Sequence, residues 1–153
     1  MANELPRLTV KAIGIVRNAI NQSPGLGYAW RKTVSDIVIN SGLSGALDGL
    51  DDFFHTMGIF WMHNIATGGQ VPTKLHHQGK QELPLVGLFA TRSPHRPNPI
   101  GKTTVRLLQR RGNILRIEGL DAIDSTPVID IKPYIPGSDA ATDAEVPSWI
   151  ATL

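Results

Sequence analysis

Two short segments hold most of the residues that could bind a ligand. The first, residues 87–101, is an apolar stretch followed by a loop with three prolines in six positions. Each proline fixes its own φ and restricts the residue before it, so the loop should hold Arg92, His95 and Arg96 in fixed directions. A preorganised guanidinium loses little entropy when it pairs with an anion, which suits this loop to binding a carboxylate or a phosphate. The alternative is a rigid connection between strands, with its arginines in solvent.

The second segment, residues 119–134, alternates strictly from residue 126 onward. This alternation predicts a strand with two distinct faces, one of them polar. Asp130 and Lys132 would be neighbours on the polar face, and Tyr134 would add a phenol. The alternative is a solvated face with a local ion pair. The polar face is predicted to carry Thr126, Val128, Asp130, Lys132 and Tyr134, and the other face Pro127, Ile129, Ile131 and Pro133.

Several familiar sites are excluded by residue type and spacing. The chain has no cysteine, which excludes disulfides, thiolate metal sites and a cysteine nucleophile. Trp30 stands where a dinucleotide-binding turn beginning at Gly25 would have its third glycine. Arg96 stands where a phosphate-binding P-loop ending at residues 101–103 would have its first glycine, and the neighbouring prolines remove amide donors. The sequence therefore predicts neither a dinucleotide fold nor a nucleotide triphosphatase.

The histidines do not predict a metal site. His55 and His63 share one face of a predicted strand, but eight residues of extended chain separate them by about 26 Å. His76 and His77 are adjacent on a predicted loop, which favours solvated side chains over metal ligands.

Composition favours a mainly β chain. Eleven prolines and fifteen glycines are too many for a helical bundle of this length, and β-branched residues gather in short runs between them. The regular spacing of these runs predicts a small barrel or a sandwich. The predicted strands are residues 8–17, 35–40, 54–63, 85–91, 103–109, 113–119 and 127–134.

Two further segments are distinctive. Leu43, Ala46, Leu47 and Leu50 follow the spacing of one apolar helix face, which predicts a short helix over residues 43–50 that acts as a plug or lid. Residues 66–82 are polar and show no periodicity, so we expect a loop.

Length and hydropathy indicate one domain over residues 1–153. A chain of this length is the size of an ordinary single domain. Its longest nearly apolar run, residues 83–90, is far too short to span a membrane. The first residues show no targeting signal, and we expect a cytoplasmic protein.

Charge is distributed unevenly along the chain. Residues 74–116 hold nine basic residues and one acidic residue, whereas residues 118–145 hold seven acidic residues and one lysine. One interpretation is that the two blocks form neighbouring strands whose charges pair. The other is a basic surface for a polyanion beside an acidic pocket.

Together the two segments resemble the YaeB-like (TsaA-like, TrmO) family. Its first motif runs Gly-hydrophobic-Phe-Ala-Thr-Arg-Ser-Pro-x-Arg-Pro-Asn-Pro-Ile-Gly, which residues 87–101 follow closely. Its second motif, Asp-x-x-Asp-Gly-Thr-Pro followed by two hydrophobic residues and Asp-Ile-Lys-Pro-Tyr, is similar to residues 121–134. The resemblance covers about residues 8 to 140, including the aromatic strand that ends at His63.

The resemblance implies a small single-sheet β-barrel with one or two short helices, which binds S-adenosylmethionine between the subunits of a homodimer. It implies methylation of N6 of threonylcarbamoyladenosine beside the tRNA anticodon. Methyl transfer needs positioning more than a nucleophile, but the acceptor nitrogen must lose a proton, and Asp130 and Tyr134 are the candidates to accept it. The resemblance assigns cofactor contacts to His63, Asn64, Arg92, Lys102, Asp124, Ser125 and Thr126. Phosphate contacts with tRNA are expected from Arg96, Arg106, Arg110 and Arg111.

The chain departs from the family pattern at several positions. Ser125 replaces the glycine of the second motif, and Lys102 replaces a residue that is commonly apolar. Residues 22–31 stand in place of a Pro-Arg-Gln element that contacts the cofactor in longer members, and Trp30 there is either a core residue or a platform for adenine or the sulfonium. We expect no counterpart of the additional C-terminal domain of longer members.

Three functions are compatible with these observations. The first is a methyltransferase that acts on a modified tRNA adenine or on another substrate of a small domain. The second is a module that binds S-adenosylmethionine without catalysis, such as a sensor or regulator. The third is an RNA-binding barrel driven by the basic block, with a salt-dependent affinity that the cofactor does not change.

Overall fold

A computed structural model describes residues 3–65 and 68–150 and shows a closed β-barrel. Its six strands follow one another around the barrel in the order β1-β2-β7-β6-β3-β8, and all neighbours are antiparallel. This confirms a mainly β fold and decides for a barrel over a sandwich. The barrel strands are β1 (Gly14–Arg17), β2 (Val34–Ile39), β3 (His55–Trp61), β6 (Ile100–Arg111), β7 (Ile114–Glu118) and β8 (Pro127–Pro133), and a separate hairpin is formed by β4 (Lys74–His76) and β5 (Leu85–Gly87).

The core fills the inside of the barrel. Alternate residues of each strand point inward, as Ile37 and Ile39 of β2 and Leu115 and Ile117 of β7 show. Burying an aliphatic side chain of this size contributes about 1.5–3 kcal/mol, so these rows of residues account for much of the stability. None of the helices in the described part of the chain is long and apolar enough to cross a membrane.

The predicted helix over residues 43–50 is not an α-helix. The chain forms 3₁₀ turns at Ser41–Leu47 and Leu50–Asp52, separated by a left-handed glycine, Gly49. Leu47 is buried, but Leu43 and Ala46 are exposed. The apolar spacing therefore predicted a larger buried face than the segment has. The glycines in this segment lower its α-helical propensity, which explains the tighter and shorter turns. In the described ranges, the remaining helical turns are Trp30–Lys32, His77–Gly79 and Leu88–Ala90, which are 3₁₀, and one α-helical turn, α1 (Pro136–Asp139).

The strict alternation predicted for β8 is interrupted at one residue, Ile129. Phe60 of β3 pairs with Val128, and the preceding Ile59 pairs with Asp130, so Ile129 is an extra residue in a β-bulge. A bulge sets two residues against one and changes which face the following side chains occupy. Val128, predicted on the same face as Asp130, is therefore buried in the core.

The seam between β1 and β8 is short. Strand β1 was predicted to start at residue 8 but starts at Gly14, and it pairs with β8 only at Val128 and Pro127. Farther along β8, Pro133 has no N–H to donate, and the N–H of Ile131 donates to the carboxylate of its neighbour Asp130 (2.9 Å). Residues 8–12 therefore remain outside the sheet and exposed.

The segment between β3 and β6 is more ordered than predicted. Residues 66–67 of the predicted loop lie outside the described residues, but within the remainder β4 pairs with β5. The predicted strand over residues 85–91 ends at Gly87, because the chain turns into a 3₁₀ turn that the Thr91 hydroxyl closes by donating to the carbonyl of Leu88 (2.8 Å).

The two charge blocks are not joined by ion pairs. Arg106 of the basic block lies opposite Glu118 of the acidic block across β6 and β7. The ion pairs found among the described residues form elsewhere, at Arg17–Asp124, Arg110–Asp48 and Lys132–Asp130. The two blocks therefore face each other across neighbouring strands at Arg106 and Glu118, but without a close ion pair.

Candidate functional site

One end of the barrel gathers loops from both motifs. Because neighbouring strands are antiparallel, β1, β3 and β7 end where β2, β6 and β8 begin. The loops over residues 18–33, 62–99 and 119–126 therefore all leave the barrel at this end, which we call the loop end. Residues 40–54, the β6–β7 turn and the chain after β8 lie at the other end, which we call the plug end.

A cavity of about 200 Å³ opens at the loop end. Trp30, Met62 and Ile123 form apolar parts of its wall, while His63, Asn64 and Asp121 supply polar groups. An apolar wall with a few convergent polar groups is typical of small-molecule sites. The cavity therefore offers a stacking surface and hydrogen-bonding groups to a ligand.

The predicted cofactor residues are only partly brought together here. His63, Asn64 and Thr126 line the cavity, as does Pro94 of the proline-rich loop. Arg92 is exposed, two positions before Pro94, and none of the residues that the structure describes bonds to it. Its guanidinium is thus free to bind an anionic group, although Arg92 itself does not line the cavity.

Lys102 lies outside the cavity wall. It is exposed on β6, opposite Ile59 of β3. The next residue, Thr103, has the opposite orientation, and its hydroxyl donates to the Oδ1 atom of Asp121.

The turn that precedes β8 keeps an unusual backbone conformation. Ser125 has a φ of 68°, in the left-handed region where the family has glycine. Its hydroxyl accepts a hydrogen bond from Arg17 (3.0 Å) and donates to Asp124 (3.2 Å). Its N–H donates to the carbonyl of Val16 (2.8 Å), so the serine holds the turn against β1.

Asp124 also has a structural role in this turn. The N–H of Asn18 donates to its carboxylate (3.0 Å), and this bond is the main reason that the pKa of Asp124 lies below its ordinary value. The Ser125 hydroxyl and the Arg17 guanidinium lower the pKa further, and partial burial opposes them. Neither Asp124 nor Ser125 lines the cavity. The roles predicted for them in cofactor binding stay predictions.

The guanidinium of Arg96 organises the proline-rich loop from within. It donates to the carbonyls of Thr91 (2.9 Å) and Ser93 (3.2 Å), and it lies 5.6 Å from the centre of the Phe89 ring. These contacts fix the path of the loop between Arg92 and Pro94. The Arg96 side chain is therefore already bonded within the loop, and its contact with tRNA phosphate stays a prediction.

Two of the residues predicted to contact tRNA lie far from the cavity. Arg110 and Arg111 are at the plug end, about 33–36 Å along β6 from Ile100 at 3.3 Å per residue. The Arg110 side chain is only 17% exposed and bonds to the Asp48 carboxylate (2.8 Å) and the Ser44 carbonyl (2.9 Å). It therefore attaches the 3₁₀ segment to the barrel. Arg106 is exposed between the two ends.

The two predicted proton acceptors do not line this cavity either. Asp130 pairs with Lys132 (3.2 Å), and the Tyr134 ring packs edge-on against His55. Asp130 instead lines a second cavity, of about 560 Å³, beside Leu43, Leu47 and Phe53. Their catalytic role stays a prediction that the cavity geometry does not support.

Sequence reasoning missed Asp121 and Met62 as residues of the site and left Trp30 between two roles. Asp121 lies in the second motif, but the alternation that marks a polar face begins only at residue 126, one position before β8. The signal for it was its position three residues before Asp124, in a turn that had to leave the barrel beside β6. Contacts such as Thr103–Asp121 join distant residues and have no local sequence pattern.

Comparison with known proteins gives consistent matches. Residues 17–140 match the family model described as the tRNA-methyltransferase O N-terminal domain. A protein named S-adenosyl-L-methionine-binding protein from Archaeoglobus fulgidus is 34% identical over 90% of this chain and 97% of its own length. The tRNA (adenine(37)-N6)-methyltransferase of Escherichia coli is 34% identical over 86% of this chain and 60% of its own length.

Solved structures agree in fold. A crystal structure of TrmO from Pseudomonas aeruginosa superposes with a TM-score of 0.72, at 30% identity, over 92% of this chain and 62% of that one. The chain spans 37% of the length of a longer Archaeoglobus relative. It therefore corresponds to one part of several longer proteins and to nearly the whole of shorter ones.

Proposed function

This chain belongs to the TrmO family, and from that premise we propose that it transfers the methyl group of S-adenosylmethionine to N6 of threonylcarbamoyladenosine beside the tRNA anticodon. The observation that carries the proposal is the loop-end cavity. It brings His63 and Asn64, at the end of the aromatic strand, together with Pro94 of the first motif and Thr126 of the second.

The residues of the loop end fit the cofactor in chemical type. Trp30 offers a face on which adenine can stack, and the amide of Asn64 offers a donor and an acceptor. The exposed guanidinium of Arg92 is suited to pair with the carboxylate of the amino acid part. Residues 121–126 pass beside the cavity, so we keep Asp124 and Ser125 as contacts at its edge. Lys102 points to the opposite side of β6 from Thr103, and we keep its contact only as what the family resemblance implies.

When bound, S-adenosylmethionine supplies a methyl group on a positively charged sulfur. The residues of the chain position the cofactor and exclude water from it. Phe60 and Met62 line the cavity with apolar surface, which disfavours water beside a bound cofactor, while the prolines around Arg92 fix the loop before the ligand binds. Alignment of donor and acceptor then accounts for most of the rate enhancement, and no nucleophilic side chain is needed.

Replacing Arg92 tests cofactor binding. We expect wild-type protein to bind about one S-adenosylmethionine per chain in a calorimetric titration, and Arg92→Ala to bind about tenfold or more weakly, because it loses a charged hydrogen bond. Arg111→Ala is the matched control, since Arg111 lies at the plug end. Equal binding by both variants, or none by the wild type at millimolar concentrations, would contradict the proposal.

Methyl transfer is tested with labelled cofactor and two tRNA preparations. We expect label in tRNA that carries threonylcarbamoyladenosine and none in the same tRNA without that group. Failure to label either preparation would reject this acceptor.

Binding without catalysis is the second candidate. The observation that favours it is the short Archaeoglobus relative, which this chain matches over 97% of that protein's length and which is named only as a binding protein. Under this alternative the calorimetric titration succeeds and methyl transfer fails with every tRNA tried.

We propose that the chain acts in the cytoplasm as a homodimer with the cofactor near the subunit interface. We also propose that residues 1–153 form one domain. Exposed aromatic rings support the dimer, since such rings are enriched at protein interfaces. Phe89 is 79% exposed and lies beside the proline-rich loop. A partner docked on Phe89 would approach Arg92 and the cavity mouth.

A further inference from the structure

Asp121 has a position in the loop-end cavity that the function proposed above leaves unused. Among the residues that the structure describes, it is the only carboxylate in the wall of this cavity. It follows β7 and precedes the turn at Ser125, so it is held between two barrel strands rather than on a long loop. The proposed reaction needs a proton acceptor at this end of the barrel.

Thr103 orients the Asp121 carboxylate. The Thr103 hydroxyl donates to Oδ1 of Asp121, in a hydrogen bond that joins β6 to the loop before β8. Thr103 of β6 is paired with Gly58 in the middle of β3, so its position is fixed by the barrel. This bond occupies one carboxylate oxygen and leaves Oδ2 with lone pairs to accept a hydrogen bond.

The other acidic and basic groups are less suited to this task. Asp124 is occupied by Asn18 and Ser125, and Asp130 by Lys132 and the N–H of Ile131. His63 is the remaining titratable side chain of the cavity. We take it as the competing acceptor, and the test includes it.

We propose that Asp121 is the catalytic residue that accepts the proton from the acceptor nitrogen, with Thr103 as its positioning residue. The inference rests on the function proposed above. In the step, a bond forms between that nitrogen and the methyl carbon while the carbon–sulfur bond breaks, and its electron pair stays on sulfur. The nitrogen proton passes to Oδ2 of Asp121 and is later released to water. The adjacent carbonyl of the carbamoyl group acidifies this N–H, so a carboxylate is an adequate acceptor.

The test separates binding from proton transfer. Asp121→Asn and Asp121→Ala are compared with wild type in calorimetric titration with S-adenosylmethionine, in thermal unfolding, and in single-turnover methylation of tRNA carrying threonylcarbamoyladenosine. We expect cofactor affinity within about twofold of wild type and a transfer rate lower by about 10²–10⁴-fold, the usual contribution of general base catalysis. Asp51→Asn, at the plug end, is the matched control with an unchanged rate.

Two further measurements distinguish a chemical role from a structural one. Added formate should restore part of the rate of Asp121→Ala, because a small carboxylate can occupy the space of the missing side chain, and it should not help Asp121→Asn. Thr103→Val should lower the rate with unchanged cofactor affinity, and Thr103→Ser should recover it.

Each opposing result overturns the inference in a recognisable way. If Asp121→Asn transfers methyl at the wild-type rate, or if His63→Gln alone abolishes transfer while binding the cofactor normally, Asp121 is not the acceptor. If Asp121→Asn binds the cofactor tenfold more weakly, Asp121 is a cofactor contact. If wild-type protein transfers no methyl, the proposed function and this inference fail together, whereas a defect confined to the variants leaves the function intact.

Discussion

At the scale of single residues, the loop end shows polar side chains that shape the backbone more than they face the cavity. Asp124, Ser125 and Arg96 all bond to neighbouring backbone or side-chain groups. The motif residues therefore divide into those that build the turns and those, such as His63 and Asn64, that the turns present to a ligand.

Ser125 allows the cost of a left-handed residue to be measured. Ser125→Gly and Ser125→Ala both lose the hydroxyl and its bonds with Arg17 and Asp124, but only the glycine variant loses the backbone strain. We expect Ser125→Gly to be more stable than Ser125→Ala by about 1 kcal/mol in urea unfolding, the lower end of the cost of this conformation. Equal stability of the two variants would show that the turn relaxes.

The lowered pKa of Asp124 predicts that the folded protein loses stability in acid. Its pKa is lower in the folded protein, chiefly because of the Asn18 N–H, so the unfolded state binds a proton more readily. Its stabilising contribution is therefore fully present well above about pH 4, the ordinary pKa of an aspartate, and is lost as the pH falls through the folded pKa. We expect wild type to exceed Asp124→Asn in stability at about pH 7 and to lose that advantage progressively as the pH falls below about 4. A constant difference over this range would contradict the assignment.

At the scale of elements, β3 and β6 connect the core to the cavity. Phe60 of β3 is both a core residue and part of the cavity wall, and it packs against Gly101 of β6. The family motif ends in this glycine, and the structure gives a reason for it, since a side chain there has no space. One residue pair thus links packing of the barrel to the shape of the site.

Gly101→Ala should disturb both the packing of the barrel and the shape of the site. The added methyl group would overlap the Phe60 ring, which has to move, and overpacking of this kind costs about 1–3 kcal/mol. We expect lower stability in urea unfolding and weaker cofactor binding by calorimetry. Gly137→Ala is the control, because a Cβ atom at that position meets open space. Unchanged cofactor binding in a destabilised Gly101→Ala would separate the core from the site.

At the scale of the whole molecule, the sequence predicts the barrel well and the site incompletely. Short runs of β-branched residues between prolines and glycines located every barrel strand, because residues such as Ile37 and Ile39 suit an extended, half-buried backbone. The bulge at Ile129 and the 3₁₀ turns at Ser41–Leu47 depend on how the chain closes on itself, which a local pattern does not record. Asp121 was missed for the same reason, since its partner Thr103 is eighteen residues away.

The proposed dimer is tested by comparing two exposed phenylalanines. Phe89 lies beside the proline-rich loop, while Phe54 precedes β3 at the plug end, and both are about as exposed. We expect Phe89→Ser to weaken self-association about tenfold or more by sedimentation equilibrium, as for a residue central to an interface, and Phe54→Ser to have little effect. A monomeric wild type, or a larger effect at Phe54, would reject Phe89 as the centre of the interface.

The short seam between β1 and β8 has a consequence for the behaviour of the protein at high concentration. Strands with unpaired backbone groups invite chains to join and aggregate. Beyond Val128, however, β8 presents a proline that cannot donate and an N–H already bonded to Asp130. This part of β8 thus offers few backbone groups to an incoming strand, and Asp130→Ala should make the protein more prone to fibril formation without altering cofactor affinity.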